Sequence, residues 1–220
     1  MTIQKTRFSA TDGHRFSACI SEPEQPSRGL VILIQEIFGL TDYLCSLTGT
    51  FAEQGYTSIA PALFDRVQTD IRLDYDDADA GRQLVAQLDP EQVLLDLQAL
   101  IDTHGINQKV AVIGYCWGGS IAYLAANRLQ LDAAIAYYGT RIHEMLDLKP
   151  QCPMQFHFGA EDHLVPKSAV EDIRAALPDS PLYVYPHAGH AFSCEPRPSY
   201  QAASAELALE RTLLFLQKKL

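Results

Sequence analysis

Three positions in this 220-residue chain carry the residue types of a nucleophile, an orienting acid and a base. The first is Cys116, in the run Lys109-Val-Ala-Val-Ile-Gly114-Tyr115-Cys116-Trp117-Gly118-Gly119-Ser120. β-Branched residues end at Gly114 and an Ala/Leu-rich segment follows the glycine pair, which is the G-x-nucleophile-x-G pattern of a sharp strand-to-helix turn with cysteine in place of the usual serine. Such a turn needs small residues two positions before and two after the nucleophile, because strand and helix pass closely there. Gly114 and Gly118 meet that need. A helix starting directly after Cys116 points its positive end at the sulfur and favours the thiolate, and the Trp117 N–H is placed to stabilise an oxyanion.

The acid and the base come later in the chain. Gly159-Ala-Glu-Asp162-His163-Leu-Val-Pro166 supplies Asp162, and Ala188-Gly189-His190-Ala191-Phe192 supplies His190. Each follows a stretch that reads as a strand, 154–158 for Asp162 and 182–185 for His190. Glu161, His163 and His187 compete for the same roles; His190 is preferred because a glycine precedes it and an aromatic follows, as in a tight turn over an apolar pocket.

Composition bounds the reading from outside. With 47% hydrophobic residues and no apolar run near the roughly 18 residues of a membrane span, the chain reads as one globular domain over residues 1–220. Met1-Thr-Ile-Gln-Lys has no apolar signal core, so a cytoplasmic location is expected. A net charge of −10 with scattered lysines speaks against nucleic acid as a partner. Five widely spaced cysteines without a C-x-x-C pair read as free thiols, with neither a disulfide framework nor a zinc site. No cluster has metal-ligand spacing and no glycine loop could cradle phosphate, so no metal or organic cofactor is expected. The expected partner is a small molecule, bound by a monomer or weak homodimer, with no membrane involved.

The elements that must position these residues alternate. Residues 3–20 form a hairpin around Asp12-Gly13, and 30–34 is a short strand buried on both faces. A helix over 42–54, a strand over 55–60 and a long aspartate-rich surface loop over 65–79 come next. Then follow a helix over 90–104, the strand and helix of the cysteine turn, strands over 131–138 and 154–158, a helix over 165–177, a strand over 182–185 and a helix over 200–218. This alternation predicts an α/β fold: a mostly parallel, doubly wound sheet with helices on both faces and an antiparallel N-terminal strand pair, its ligand at the carboxyl ends of the strands.

Four motifs keep order and spacing: Gln35-Glu36-Ile37-Phe38-Gly39, the Cys116 turn, Gly159-x-x-Asp162-x-x-Val165-Pro166 and Gly189-His190-x-Phe192. Together they resemble the dienelactone hydrolase family of the α/β-hydrolases, whose chain order is also nucleophile, acid, histidine. The resemblance implies a Cys116/His190/Asp162 triad that opens a small enol-lactone through a thioester, with the N–H groups of Trp117 and Ile37 as oxyanion hole. It also implies that Glu36 keeps the resting thiol protonated until substrate displaces it. Family members of chlorocatechol breakdown hold the substrate carboxylate with two arginines. Here the second of those positions is Cys194 and the first falls near Ala78. Arg82 or Arg197 is the expected replacement, beside Phe38 and Phe192. The alternatives are an esterase or thioesterase acting on neutral substrates, and a non-catalytic ligand-binding or redox-sensing module.

Overall fold

The computed structural model describes residues 2–220; Met1, which opens the N-terminal stretch read above, lies outside them. The chain divides into two compact units, one ending at Val112 and the other comprising Ile113–Leu220. Among the described residues no helix is long and apolar enough to cross a membrane.

The first unit is built on the order β1-β2-β4-β3. β1 (Gln4–Ser9) and β2 (Arg15–Ser21) pair antiparallel, Phe8 opposite Phe16, around a turn closed by Ala10 and His14. β2 is antiparallel to β4 (Thr57–Pro61), and β4 is parallel to β3 (Leu30–Ile34). All five residues of β3 are buried, the state that its unbroken Leu-Val-Ile-Leu-Ile run demands. Helix α1 (Asp42–Glu53) starts where Thr41 accepts a hydrogen bond from the Leu44 N–H at 3.2 Å, and it buries Leu44, Cys45, Thr48, Phe51 and Ala52 on one face.

One expectation fails in this unit. Cys19 of β2 and Cys45 of α1 form a disulfide, with Cα atoms 5.5 Å apart and both residues buried. Their separation of 26 residues carries no motif. The pairing exists only because the buried face of α1 packs on β2, which spacing alone could not reveal. Cys116, Cys152 and Cys194 are free.

The aspartate-rich stretch is also more ordered than a solvated connection. Leu63–Arg66 is a 3-10 turn, and Asp65 is buried, accepting from the N–H groups of Ser17 (2.8 Å) and Asp70 (3.1 Å). Arg66 grips Asp96 through two hydrogen bonds of 2.8 and 2.7 Å. Asp96 belongs to α3 (Pro90–His104), which begins with Pro90 behind the Asp89 cap. Helix α2 (Ala78–Val85) takes up the last residues of the expected loop.

The second unit has the order β5-β6-β7-β8, with β5 (Val110–Tyr115) entering from the first. β6 (Ala133–Tyr137), β7 (Met154–Gly159) and β8 (Leu182–Tyr185) run parallel in register, with Tyr137 beside His157 and His157 beside Tyr183. Helices α4 (Trp117–Arg128), α5 (Lys167–Ala176) and α6 (Ala202–Lys219) alternate with them. β6, β7 and β8 run parallel, so their carboxyl ends lie on one side, and Cys116, Tyr138, Asp162 and His190, taken next, lie on the loops that follow β5, β6, β7 and β8.

Candidate active site

The turn after β5 holds Cys116 in a strained backbone, φ 55° and ψ −118°, a conformation that costs a non-glycine residue on the order of 1–3 kcal/mol. The strain is locked in from several sides. A Cβ at Gly114 would lie 1.9 Å from the Gly118 carbonyl oxygen, so only glycine lets strand and helix pass. The Cys116 N–H donates to the Tyr137 carbonyl at 3.0 Å, and its own carbonyl accepts from Gly119 at 2.9 Å. Trp117 is the first residue of α4, so its N–H sits at the positive end of the helix dipole beside the sulfur. Cys116 is 5% exposed.

Asp162 follows β7 and is buried. Its Oδ1 accepts from the backbone N–H groups of Leu164 at 2.8 Å and Val165 at 3.1 Å, which fixes the carboxylate plane. Its Oδ2 lies 2.8 Å from His190 Nδ1. Because a carboxylate only accepts, Nδ1 carries the proton. His190 Nε2 is buried and forms no hydrogen bond of good geometry. Burial by itself would lower the pKa of this ring; a thiolate at Cys116, where present, and the Asp162 hydrogen bond outweigh it and raise the pKa to about 10.

Around the imidazole the sequence built more than the motifs announced. The Tyr138 ring stands edge-on to His190 with centroids 5.1 Å apart, and its hydroxyl is 3.1 Å from Ser193 Oγ. Phe192 is fully buried against Tyr185 and Tyr138, at 4.9 and 5.7 Å. Tyr138, His187 and Ala191 join Cys116 in having positive φ, so strain gathers on these loops. Tyr138 is the residue that the motif reading passed over. Its signal was an aromatic pair, Tyr137-Tyr138, ending a strand immediately before Gly139.

The model of the dienelactone hydrolase family matches residues 16–220. The chain belongs to the dienelactone hydrolase family. It is 33% identical to the carboxymethylenebutenolidase of Pseudomonas putida over 98% of this chain and 97% of that one. It is 31% identical to carboxymethylenebutenolidase 1 of Cupriavidus pinatubonensis over the same shares. A crystal structure of a Klebsiella pneumoniae protein named as a dienelactone hydrolase superposes with a TM-score of 0.88 at 29% identity, covering 99% of each chain. The fold is the α/β-hydrolase fold, and the protein is a carboxylic ester hydrolase of the dienelactone hydrolase type.

The remaining candidates in this dienelactone hydrolase family member lie as follows. His187 and Glu161 pair with each other at the surface, Nδ1 to Oε1 3.2 Å, and His163 is exposed. In the first unit Glu36 and Ile37 are half-buried after β3, and Phe38 is buried with its ring 5.0 Å from that of Tyr75. Arg82 is exposed on α2 and engages Asp79, while Arg72 pairs with Asp42 at 2.5 Å. Arg197 is half-buried, its backbone N–H donating to the Cys194 carbonyl at 3.0 Å. Among the described residues no group of three or more His, Cys, Asp or Glu is arranged to hold a metal ion.

Proposed function

We propose that the protein hydrolyses a small enol-lactone or ester through a thioester on Cys116, with His190 as base and acid and Asp162 as its orienting partner. The observation that carries this reading is the 2.8 Å contact between Asp162 and His190 Nδ1, which leaves Nε2 as the ring nitrogen available to a strained, buried cysteine at a helix N-terminus.

The raised pKa of His190 fits a sequence of roles. With Cys116 as thiolate the ring holds its proton. The sulfur attacks the acyl carbon, and the Trp117 N–H receives the developing oxyanion. Collapse breaks the acyl C–O bond, and the leaving oxygen takes the proton from His190 Nε2. The product is a thioester, so the charge that raised the imidazole pKa has gone. The neutral ring now removes a proton from water, and hydroxide displaces the sulfur. Thiolate and imidazolium are thereby restored. Asp162 keeps Nδ1 protonated throughout and stabilises the imidazolium. The roles assigned to Glu36 and Ile37 rest on the family resemblance alone.

A neutral substrate is the second reading, and a specific observation favours it. Buried Cys194 stands where the family holds a carboxylate-binding arginine, and Arg82 is engaged with Asp79 at the surface. Turnover of a carboxylated dienelactone and of p-nitrophenyl acetate by wild type and Cys116→Ala separates the possibilities. The reading expects both activities to fall by on the order of 10⁴ or more in the variant. Undiminished turnover would remove Cys116 from the chemistry. A wild-type preference for the aryl ester would keep the mechanism and assign a neutral substrate.

A further inference from the structure

Beneath the loops that carry Asp162 and His190, the core of the second unit holds a polar chain that the chemistry above does not use. His157 of β7 is fully buried between β6, β8 and α6. Its Nδ1 is 2.7 Å from the Tyr185 hydroxyl; its Nε2 is 3.1 Å from Gln155 Oε1 and 3.2 Å from Thr212 Oγ1. The Thr212 hydroxyl lies 2.6 Å from that of Tyr137.

The donors and acceptors can be assigned. Gln155 donates its amide N–H to the Arg211 carbonyl at 3.3 Å, so its oxygen faces His157 and can only accept. Nε2 therefore carries the proton, and Nδ1 accepts from the Tyr185 hydroxyl, whose ring has the Arg211 guanidinium 5.3 Å from its centroid. The imidazole is neutral, in one tautomer, with every polar atom engaged. A buried network satisfied at each atom is rigid in a way that apolar packing is not.

Three routes lead from this hub to the site. The His157 carbonyl accepts from the Tyr138 N–H at 2.7 Å, and the Tyr138 ring stands against His190. Tyr185 packs on Phe192, two residues beyond His190. The ends of β7 and β8 are also bonded together, Ala160 N–H to the Tyr185 carbonyl and Glu161 N–H to the Ala188 carbonyl, both at 2.9 Å. A Cβ at Gly159 would lie 2.2 Å from the Ala188 oxygen, so the two loops bearing Asp162 and His190 are pressed into one body.

We infer that His157, with Tyr185 and Thr212, is a positioning hub that sets the relative placement of Asp162 and His190. It touches neither substrate nor reacting atoms. The inference rests on the Cys116/His190/Asp162 reading and adds residues to it that no motif contains.

Tyr185→Phe removes one hydroxyl with no cavity, and Thr212→Val does the same on the α6 side. The hub predicts that each lowers kcat about tenfold with KM within about twofold, because small misplacement of catalytic groups is costly. It also predicts that the alkaline limb of the pH–kcat/KM profile moves down by about one unit as the Asp162–His190 contact loosens. Melting temperatures of both variants, taken in parallel, separate folding from positioning. A lowered melting point with kcat and the alkaline limb unchanged would make the network a packing device and overturn the inference. Cys116→Ala belongs in the same experiment. Inactive Cys116→Ala beside fully active Tyr185→Phe and Thr212→Val refutes the hub alone, whereas active Cys116→Ala refutes the triad and the hub with it.

Discussion

Reducing the Cys19–Cys45 bridge should cost this protein a measurable part of its stability. The bond closes a loop of 26 residues, and the loss of chain entropy in the unfolded state that such a loop brings is worth about 3.5 kcal/mol. For a chain of 220 residues each kcal/mol corresponds to about 2–4 °C in Tm, so reduction should lower the melting temperature by roughly 10 °C. Both sulfurs are buried between β2 and α1, so reduction must proceed in denaturant, followed by refolding with dithiothreitol present. A thiol titration supplies the independent half of the test. Unfolded without reductant, the chain should show three reactive thiols, those of Cys116, Cys152 and Cys194; reduced first, it should show five. Five thiols without reductant, together with a melting point insensitive to dithiothreitol, would refute the bridge.

Two further perturbations follow from buried charge. Burial, aided by the Arg211 cation, holds the pKa of His157 down at about 3, against 6.5 in an unfolded chain. Above pH 6.5 neither state is charged; below it only the unfolded chain takes the proton, so stability falls as pH drops from 6.5 toward 3. Wild type should lose about 2 kcal/mol more than His157→Gln between pH 8 and pH 5 in urea titrations, and equal losses would contradict a buried neutral imidazole. In the other unit, Arg66→Met leaves the Asp96 carboxylate buried without its cation and should destabilise by about 3–5 kcal/mol at pH 8. Burial already raises the pKa of Asp96 to about 6, so at pH 5 the acid takes a proton and the deficit should shrink. A deficit that does not depend on pH would show that Arg66 acts by packing.

What could be read from the chain, and what could not, divides by the range of the forces involved. β3 and β5 were legible because a strand buried on both faces must be an unbroken apolar run, and α3 because Asp89-Pro90 starts a helix and its apolar residues recur at helical spacing. The Cys116 turn was legible because only small residues allow the close approach at Gly114. Helix α2 was hidden by its own composition, since its first residues, Ala78 and Asp79, close the aspartate-rich stretch read as loop and Gly81 breaks the helical pattern that follows. The disulfide and the placement of Tyr138 depend on which faces meet after folding, which local pattern does not encode. His157 lies between these cases. Met154-Gln-Phe-His-Phe158 alternates polar and apolar residues, as a strand with one wet face would, yet Gln155 and His157 are buried because α6 brings Thr212 and the Arg211 carbonyl to meet them.

The central claim is that the acyl group passes through Cys116. Mixing the protein with p-nitrophenyl acetate, quenching in acid during the first turnover and mapping the peptides by mass would test it most directly. The account predicts acetyl on the peptide containing Cys116, absent from Cys116→Ala and lost again as turnover proceeds. Continued hydrolysis with no adduct on Cys116, or an adduct on another side chain formed as fast as product, would contradict it.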